Sequence, residues 1–592
     1  MPFPLLRQNT LRLAIVSALG ACAWGAAGSA QATYVCAGAA SQNIAAGNYA
    51  YAQAACSGDG GVDKDNEKDG QDGPDVTLTS AGTFNADLSG SGVDTKGVVT
   101  ALSNGGGGVD EGTAGDGGNV TVSSTGSVTL NGTALSTFNS LIMAVSTGGI
   151  GDPDNDNNDS NGGHGGLGQT VTLTNSGNLT MTGTLPTPRQ GLFGINARAV
   201  GGAGGEQNDP TLEYGEQVGG NGGNASTVTV TNSGAINLGS SATRLRTGAS
   251  GAAIYAGSTG GKGGNNNGNA GTGGTVQVTH RGEANSYWQV ADNAAVFGIY
   301  AQSIGGDGTA STDNSDNGGN GGGTSGSWTQ KVTVDVYGSV LLDVAGSASG
   351  VAIEGAGVAA RAIGGKGGMG PDKDHSGGNG GAGGTVALNL YQGASVATRG
   401  DNLPGLAAQS LGGQGGDGSD STALAGQGGG GGFGGDASAV NVATAGGSAI
   451  STTGSFATGV VAQSIGGGGG TGSDFVSVLG GQGGNGGNGG NAGTVTAATG
   501  GTITTSGDHA YGVLAQSIAG SGGAGGADTA ELVSLGGDGA GGGAASQVNL
   551  SNTGSIATSG YNSHGMIGQS IGGGGGASGS ATGLLSVGGS SA

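Results

Sequence analysis

Asp152, Asp154 and Asp156 stand in the run D-P-D-N-D-N, the spacing at which carboxylates open a calcium loop. Asn157 would replace the turn glycine of such a loop, but its twelfth position is Gly163, where a bidentate Glu belongs. A second acidic run, Asp59 to Asp75, carries Asp63, Asp65, Glu67 and Asp69. Calcium is thus the one cofactor these residue types suggest, and a solvated acidic loop is the alternative at both places. The glycine-rich runs invite comparison with calcium-binding nonapeptide repeats. The Asp those repeats need does not recur in phase, which rejects them. Arg399-Gly400-Asp401 is an integrin-type tripeptide, a candidate adhesion motif in an expected turn between strands. Tyr287, Trp288, Phe297, Tyr300 and Trp328 form the densest aromatic group. Their rings could stack on sugars, or simply pack one coil better than the rest.

Catalysis finds little to work with. The five His are scattered at no common phase. There is no H-E-x-x-H, no Cys spacing for zinc, and Lys262 and Lys366 are each followed by Gly, so neither makes a phosphate-binding loop. Charged residues make up 9% of the chain, too sparse for the converging carboxylates of a glycosidase. The expectation is a protein that is not an enzyme. A secreted β-helix enzyme acting on polysaccharide is the alternative.

The elements that position these residues follow from composition. Gly supplies 148 of 592 residues and Pro only 9, without a Gly-X-Y period, so collagen is excluded. Aromatics at 4% cannot fill ordinary globular cores. A thin, repetitive architecture remains. The net charge of −23 disfavours nucleic acid and anionic membrane surfaces. Residues 1–32 read as a secretory signal, with Arg7 and Arg12, an apolar stretch, and the A-x-A site Ala30-Gln31-Ala32. Leu19-Gly20-Ala21-Cys22 also fits a lipobox, and either route exports the chain. Cleavage after Ala32 leaves Cys36 and Cys56, an even pair in an oxidising compartment, hence one disulfide. It would staple an N-terminal cap, residues 33–75, with two unpaired thiols as the other reading. No further apolar stretch is long enough for a helical anchor, and the aromatics after Tyr391 are too few for a membrane barrel.

Two repeated elements organise residues 76–592. A V-x-V or V-x-L segment starts at Val76, Val120, Val171, Val228, Val276, Val332, Val386, Val440, Val495 and Val548. In nine of these ten a Gly follows six residues later, and at Val386 it is Gly393, one later. This predicts a short strand and then a turn that needs positive φ. The second element is best seen in G-V-V-A-Q-S-I-G-G (Gly459 to Gly467) and G-I-Y-A-Q-S-I-G-G (Gly298 to Gly306). Related copies centre on Ala197, Ala360, Ala408, Ala515 and Gly568, and looser ones on Ala101, Ala144 and Ala256. Val460, Ala462 and Ser464 share one face, and Gln463 either points outward or stacks as an amide ladder. A third element, as in Phe475 to Leu479, Leu532 to Leu535 and Leu584 to Val587, suggests two rungs per period near the C-terminus. The glycine runs between elements are expected to be partly ordered, because they recur in phase. At about 4.8 Å per rung, ten one-rung repeats span roughly 50 Å.

With its signal, its V-T-V-T-N-S-G segments (Val228 to Gly234) and its G-V-V-A-Q-S-I-G-G-G-G-G segments (Gly459 to Gly470), the chain resembles the glycine-rich passenger region of a bacterial autotransporter. Autotransporters contain an outer-membrane β-barrel. The resemblance covers about residues 76–592 and rests on structural motifs. It implies a right-handed parallel β-helix, all-β, displayed on the cell surface and exported through a C-terminal barrel of the same polypeptide. The chain stops at Ala592 without that barrel, so a fragment is expected. The expected function is a structural stalk or adhesin outside a Gram-negative cell. Its partner would be a host or neighbouring cell surface. A self-associating matrix protein is a third reading.

Overall fold

The computed structural model describes residues 30–35, 40–57, 69–86, 97–109, 112–131, 139–152, 162–183, 191–206, 219–247, 250–265, 268–290, 294–310, 319–323, 329–345, 354–370 and 375–592. These residues form an all-β parallel solenoid without a helix. Every strand pairing is parallel, and each joins one repeat to the next. Each repeat is one coil.

A coil has three strands and a glycine arm. The first strand is the V-x-V segment. All ten predicted starts lie in one sheet of eleven strands, from Ala40–Ile44 to Val548–Asn552. Its inward residues, such as Val171, Leu173, Val228 and Val230, are fully buried, because alternation puts every second side chain into the core. A second strand follows at once, as in Leu179–Met181 and Ile236–Leu238. The third strand is the A-Q-S-I element. Ala101, Ala144, Ala197, Ala256, Ala301 and Ala360 lie in one register, continued by Ala408, Ala462, Ala515 and Gly568. Strand Asn48–Ser57 serves the second and third columns together, so residues within the expected cap already form a coil.

The glycine six residues into the first element has a different cause from the one expected. Gly126, Gly177 and Gly234 are outside the left-handed region. A Cβ on Gly126 would lie 1.7 Å from the Gly82 carbonyl oxygen, and one on Gly177 would lie 1.8 Å from that of Gly126. Close stacking of coils excludes side chains there. Positive φ does hold at Gly393, at 82°, and at Gly447, at 78°.

The arms have their own order. In G-G-x runs the hydrogen bonds repeat every third residue, the period of an extended polyproline II helix. Gly415 N–H donates to Gly468 of the next coil at 2.9 Å, and Gly416 N–H donates to Gly378 of the preceding coil at 2.8 Å. On the returning leg Gly432 N–H donates to Gly416 at 2.8 Å, within the same arm. The third residue points out, and its side chain accepts the N–H of its counterpart one coil on. Asp417 Oδ1 accepts from Thr471 N–H, Asn379 Oδ1 from Phe433 N–H, and Asn491 Oδ1 from Ala544 N–H, at 2.7–2.8 Å. The acidic and amide residues of the arms are therefore backbone acceptors.

The third element does not add a second rung. Strands Ser421–Gln427, Phe475–Gln482, Asp528–Ala530 and Val533–Leu535 pair coil to coil in a six-stranded sheet within the arms. The C-terminal repeats remain single coils carrying one extra wall.

Candidate functional site

The A-Q-S-I motif assigns each letter a place. Val460, Ala462 and Ser464 are buried inward. The Ser464 hydroxyl donates to Ser438 O at 2.9 Å and accepts Gly493 N–H at 2.7 Å, clamping the end of the arm to the body. Gln463 does both things expected of it: it faces outward and stacks. Gln409 Nε2 donates to Gln463 Oε1, and Gln463 Nε2 to Gln516 Oε1, each at 2.6 Å.

Earlier coils replace this outward face with aromatics and arginines. The slot held by Val461 carries Asn196, Tyr255 and Tyr300 in three successive coils. The Gln slot carries Arg198, Gly257, Gln302 and Arg361 in four. Phe193 packs on Tyr255 with ring centroids 5.4 Å apart, Tyr255 on Tyr300 at 5.7 Å, and Phe297 stacks on Tyr300 at 4.1 Å. Arg198 lies over Tyr255 at 5.4 Å, and Arg361 over Tyr300 at 5.6 Å. Gln302 Nε2 donates to the Tyr255 hydroxyl at 2.5 Å. Phe193, Arg198, Tyr255, Phe297, Tyr300 and Gln302 line a groove of about 460 Å³, to which Asn139, Asn196 and Ser250 add polar groups, and Arg361 lies beside it over the Phe297 and Tyr300 rings. An aromatic floor with a few convergent polar groups is the usual form of a small-ligand site.

The expected aromatic group divides. Phe297 and Tyr300 belong to the groove. Trp288 is fully buried in the core, where Gly251 leaves room for its ring. Tyr287 is half-buried, and Trp328 lies outside the described residues. Phe193, Tyr255, Arg198, Arg361 and Asn196 were not foreseen. Their signal was the slot itself: aligned copies of the third strand change from small aliphatics and Gln to Tyr and Arg.

Arg399-Gly400-Asp401 forms a corner after the strand Ser395–Arg399. Arg399 Nη1 is 3.4 Å from Asp343 Oδ2, with its side chain 61% exposed. Gly400 has φ 134°, and Asp401 Oδ1 accepts Ser455 N–H at 2.7 Å. The corner recurs at Gly454, Gly507 and Gly560, with φ of 137°, 154° and 153°. Asn402, Phe456, His509 and Asn562 follow in the left-handed region, and Asp508 repeats the bond of Asp401. Arg and Asp occur together only at the first of these four corners.

Asp152 lies on an arm, where its carbonyl accepts Gly163 N–H at 3.0 Å. Asp154 and Asp156 lie outside the described residues, as do Asp63, Asp65 and Glu67. Among the described residues no three His, Cys, Asp or Glu converge as metal ligands. Asp69, Asp72 and Asp75 accept backbone N–H groups of Thr113, Asp116 and Asn119. Cys56 is disulfide-bonded, and Cys36 lies outside the described residues. The strands before the two cysteines pair in register, Val35 opposite Ala55.

A second surface lies on the arms. Leu424, Leu479, Leu532 and Leu584 occupy one phase in successive coils and are 50–82% exposed. Compared with known proteins, the chain matches no family model, no curated protein and no solved structure.

Proposed function

We propose that this chain is an exported solenoid of the autotransporter passenger type, a stalk that carries an adhesive face outside a Gram-negative cell. The observation that carries the reading is the lateral groove, built across coils of a parallel stack that otherwise repeats itself. A stalk needs only the repeat. A groove of aromatics and arginines departs from the repeat at one stretch of its length, and departure from a regular scaffold marks recognition. The export signal and the glycine-rich passenger motifs supply the location. The row of exposed leucines on the arms favours self-association as a second reading.

Protease treatment of intact cells of the native host tests the location. Loss of the protein's antibody signal, with a periplasmic marker left whole, is the expected result. Survival of the signal until the outer membrane is opened would end the surface assignment.

A further inference from the structure

The groove has a charge character opposite to that of the whole chain. The chain carries a net charge of −23, yet among the described residues the groove lining holds Arg198 and no carboxylate. Arg361 extends the same row over the far rings. Arg198 and Arg361 occupy one outward slot three coils apart, roughly 14 Å at ~4.8 Å per coil. Among the described residues neither has an ion-pair partner. Arg244 and Arg399, by contrast, both bond Asp343. A guanidinium laid on an aromatic ring keeps its N–H edge for a planar oxyanion.

Two buried polar atoms here lack partners among the described residues, one in the groove lining and one beside it. Asn196 is 3% exposed, and its Oδ1 accepts no hydrogen bond. Arg361 Nε is buried without an acceptor. Leaving buried polar atoms unsatisfied is costly, so these two mark where a ligand's donor and acceptor fit. Gly257 keeps the floor open between Arg198 and Gln302, since a Cβ there would lie 2.7 Å from the Tyr255 hydroxyl oxygen.

We propose that the groove binds an acidic oligosaccharide, a short chain of sugar rings bearing carboxylates. The proposal rests on reading the groove as the adhesive face of the stalk. Sugar rings lie on Phe193, Tyr255 and Tyr300, because the apolar face of a pyranose matches an aromatic ring. A sugar hydroxyl donates to Asn196 Oδ1. The carboxylates meet Arg198 and Arg361 through paired N–H donors. A neutral glycan would leave both arginines unused, and a free small anion would leave the rings and Asn196 unused.

The purified chain titrated calorimetrically with an oligogalacturonate tests this, with its methyl ester and inorganic sulfate as comparators. Saturable binding of the free acid, at least tenfold tighter than the methyl ester, is expected. Arg198→Gln and Arg361→Gln each weaken it roughly tenfold, and Arg361→Lys recovers part of the loss. Asn196→Asp weakens it further by opposing the carboxylate. Gln463→Ala, far from the groove, leaves binding unchanged and reports that the fold is intact. Equal binding of acid and ester, equal competition by sulfate, or binding indifferent to both arginine substitutions would overturn the proposal. Absence of binding would overturn it too. None of these results depends on where the protein sits in the cell, which the protease experiment decides separately.

Discussion

The body and the arms of this solenoid hold their coils together by opposite means. In the body, side chains do most of it. Val171, Leu173, Leu179, Ile195 and Ala197 enter one core, and the strands add a parallel ladder. In the arms no apolar side chain among the described residues does this work in the G-G-x runs, and the outward side chains serve as hydrogen-bond acceptors. Two of every three residues are glycines whose carbonyls and N–H groups bond in two directions, to the next coil and to the other leg. The contrast teaches where sequence is constrained. The body needs apolar volume at alternate positions and tolerates exchange among Val, Ile and Leu. The arm needs the absence of a side chain at two positions in three, and at the third it asks only for a short polar acceptor.

The widest gap between the regions is expected from neighbouring glycines. A Cβ on Gly467 would lie 1.9 Å from the Gly413 carbonyl oxygen, so the two coils must part to admit it. The nearest atom to a Cβ on Gly468 is Ser521 Oγ, at 3.7 Å. Gly467→Val therefore costs about 3 kcal/mol or more, while Gly468→Val stays within about 0.5 kcal/mol. Chemical denaturation of the two variants side by side measures the difference. Equal stability would mean that the arms are not packed through their glycines. Because each coil contacts only its neighbours, the damage should stay local, and hydrogen exchange would map it to adjoining coils.

The two regions also differed in how much of them could be read beforehand. Alternation gave the first strand at all ten valines, because burial of every second residue leaves a period of two in the sequence. The third strand was legible from its repeated alanine, the small residue that the inward slot requires. The second strand leaves no signal in the sequence, since Leu179–Met181 is too short for a periodic pattern and follows a glycine that reads as a turn. That glycine was itself misjudged: stacking distance, and not backbone angle, requires it at Gly126 and Gly177. The G-G-x period carries no local meaning, because its hydrogen-bond partners lie on the other leg of the arm and in the adjoining coils. For the same reason no local motif announced the groove. Phe193, Tyr255 and Tyr300 come from three coils and meet only when those coils are stacked in register.

Within the body, one buried polar row breaks its own pattern, and its pH response sets it apart from the arms. Asn175 Nδ2 donates to Asn232 Oδ1 at 2.7 Å, and Asn232 Nδ2 reaches His280 Nδ1 at 3.1 Å. His280 stands where the two preceding coils place Asn, and the following coil places Val336. Burial is the main cause that lowers its pKa, from 6.5 to about 4, against smaller raising effects of backbone bonds to Ser339 and Gly282. The folded state thus keeps the ring neutral, and the unfolded chain takes up a proton first. Stability is fully present above pH 6.5, falls as pH drops towards 4, and levels off below that. The total loss is on the order of 3 kcal/mol. His280→Asn should remove that part of the acid sensitivity while extending the amide row. Urea midpoints between pH 7 and pH 4 decide it, and an unchanged slope in the variant would remove His280 as the cause.

The smallest expected effect concerns the outward acids of the arms. Asp417 Oδ1 accepts both the N–H and the hydroxyl of Thr471, at 2.7 and 2.8 Å. These are acceptor roles, which an amide oxygen fills equally well, as Asn379 and Asn491 do in neighbouring coils. Asp417→Asn should leave stability unchanged at neutral pH, and Asp417→Ala should cost about 0.5–1 kcal/mol. Acid separates the two acceptor types. At Asp538 the Ser590 N–H, followed by its hydroxyl, holds the carboxyl below its usual range. A carboxylate held in this way contributes stability that is present at neutral pH and lost as pH falls through its lowered value. An amide contributes the same at every pH. Replacing Asp538 by Asn should therefore flatten the stability of the last arms at low pH without altering it at pH 7. Hydrogen-exchange rates of the Ser590 amide in the two proteins give the test. If those rates respond to acid alike, the carboxylate is not the acceptor that orders this leg.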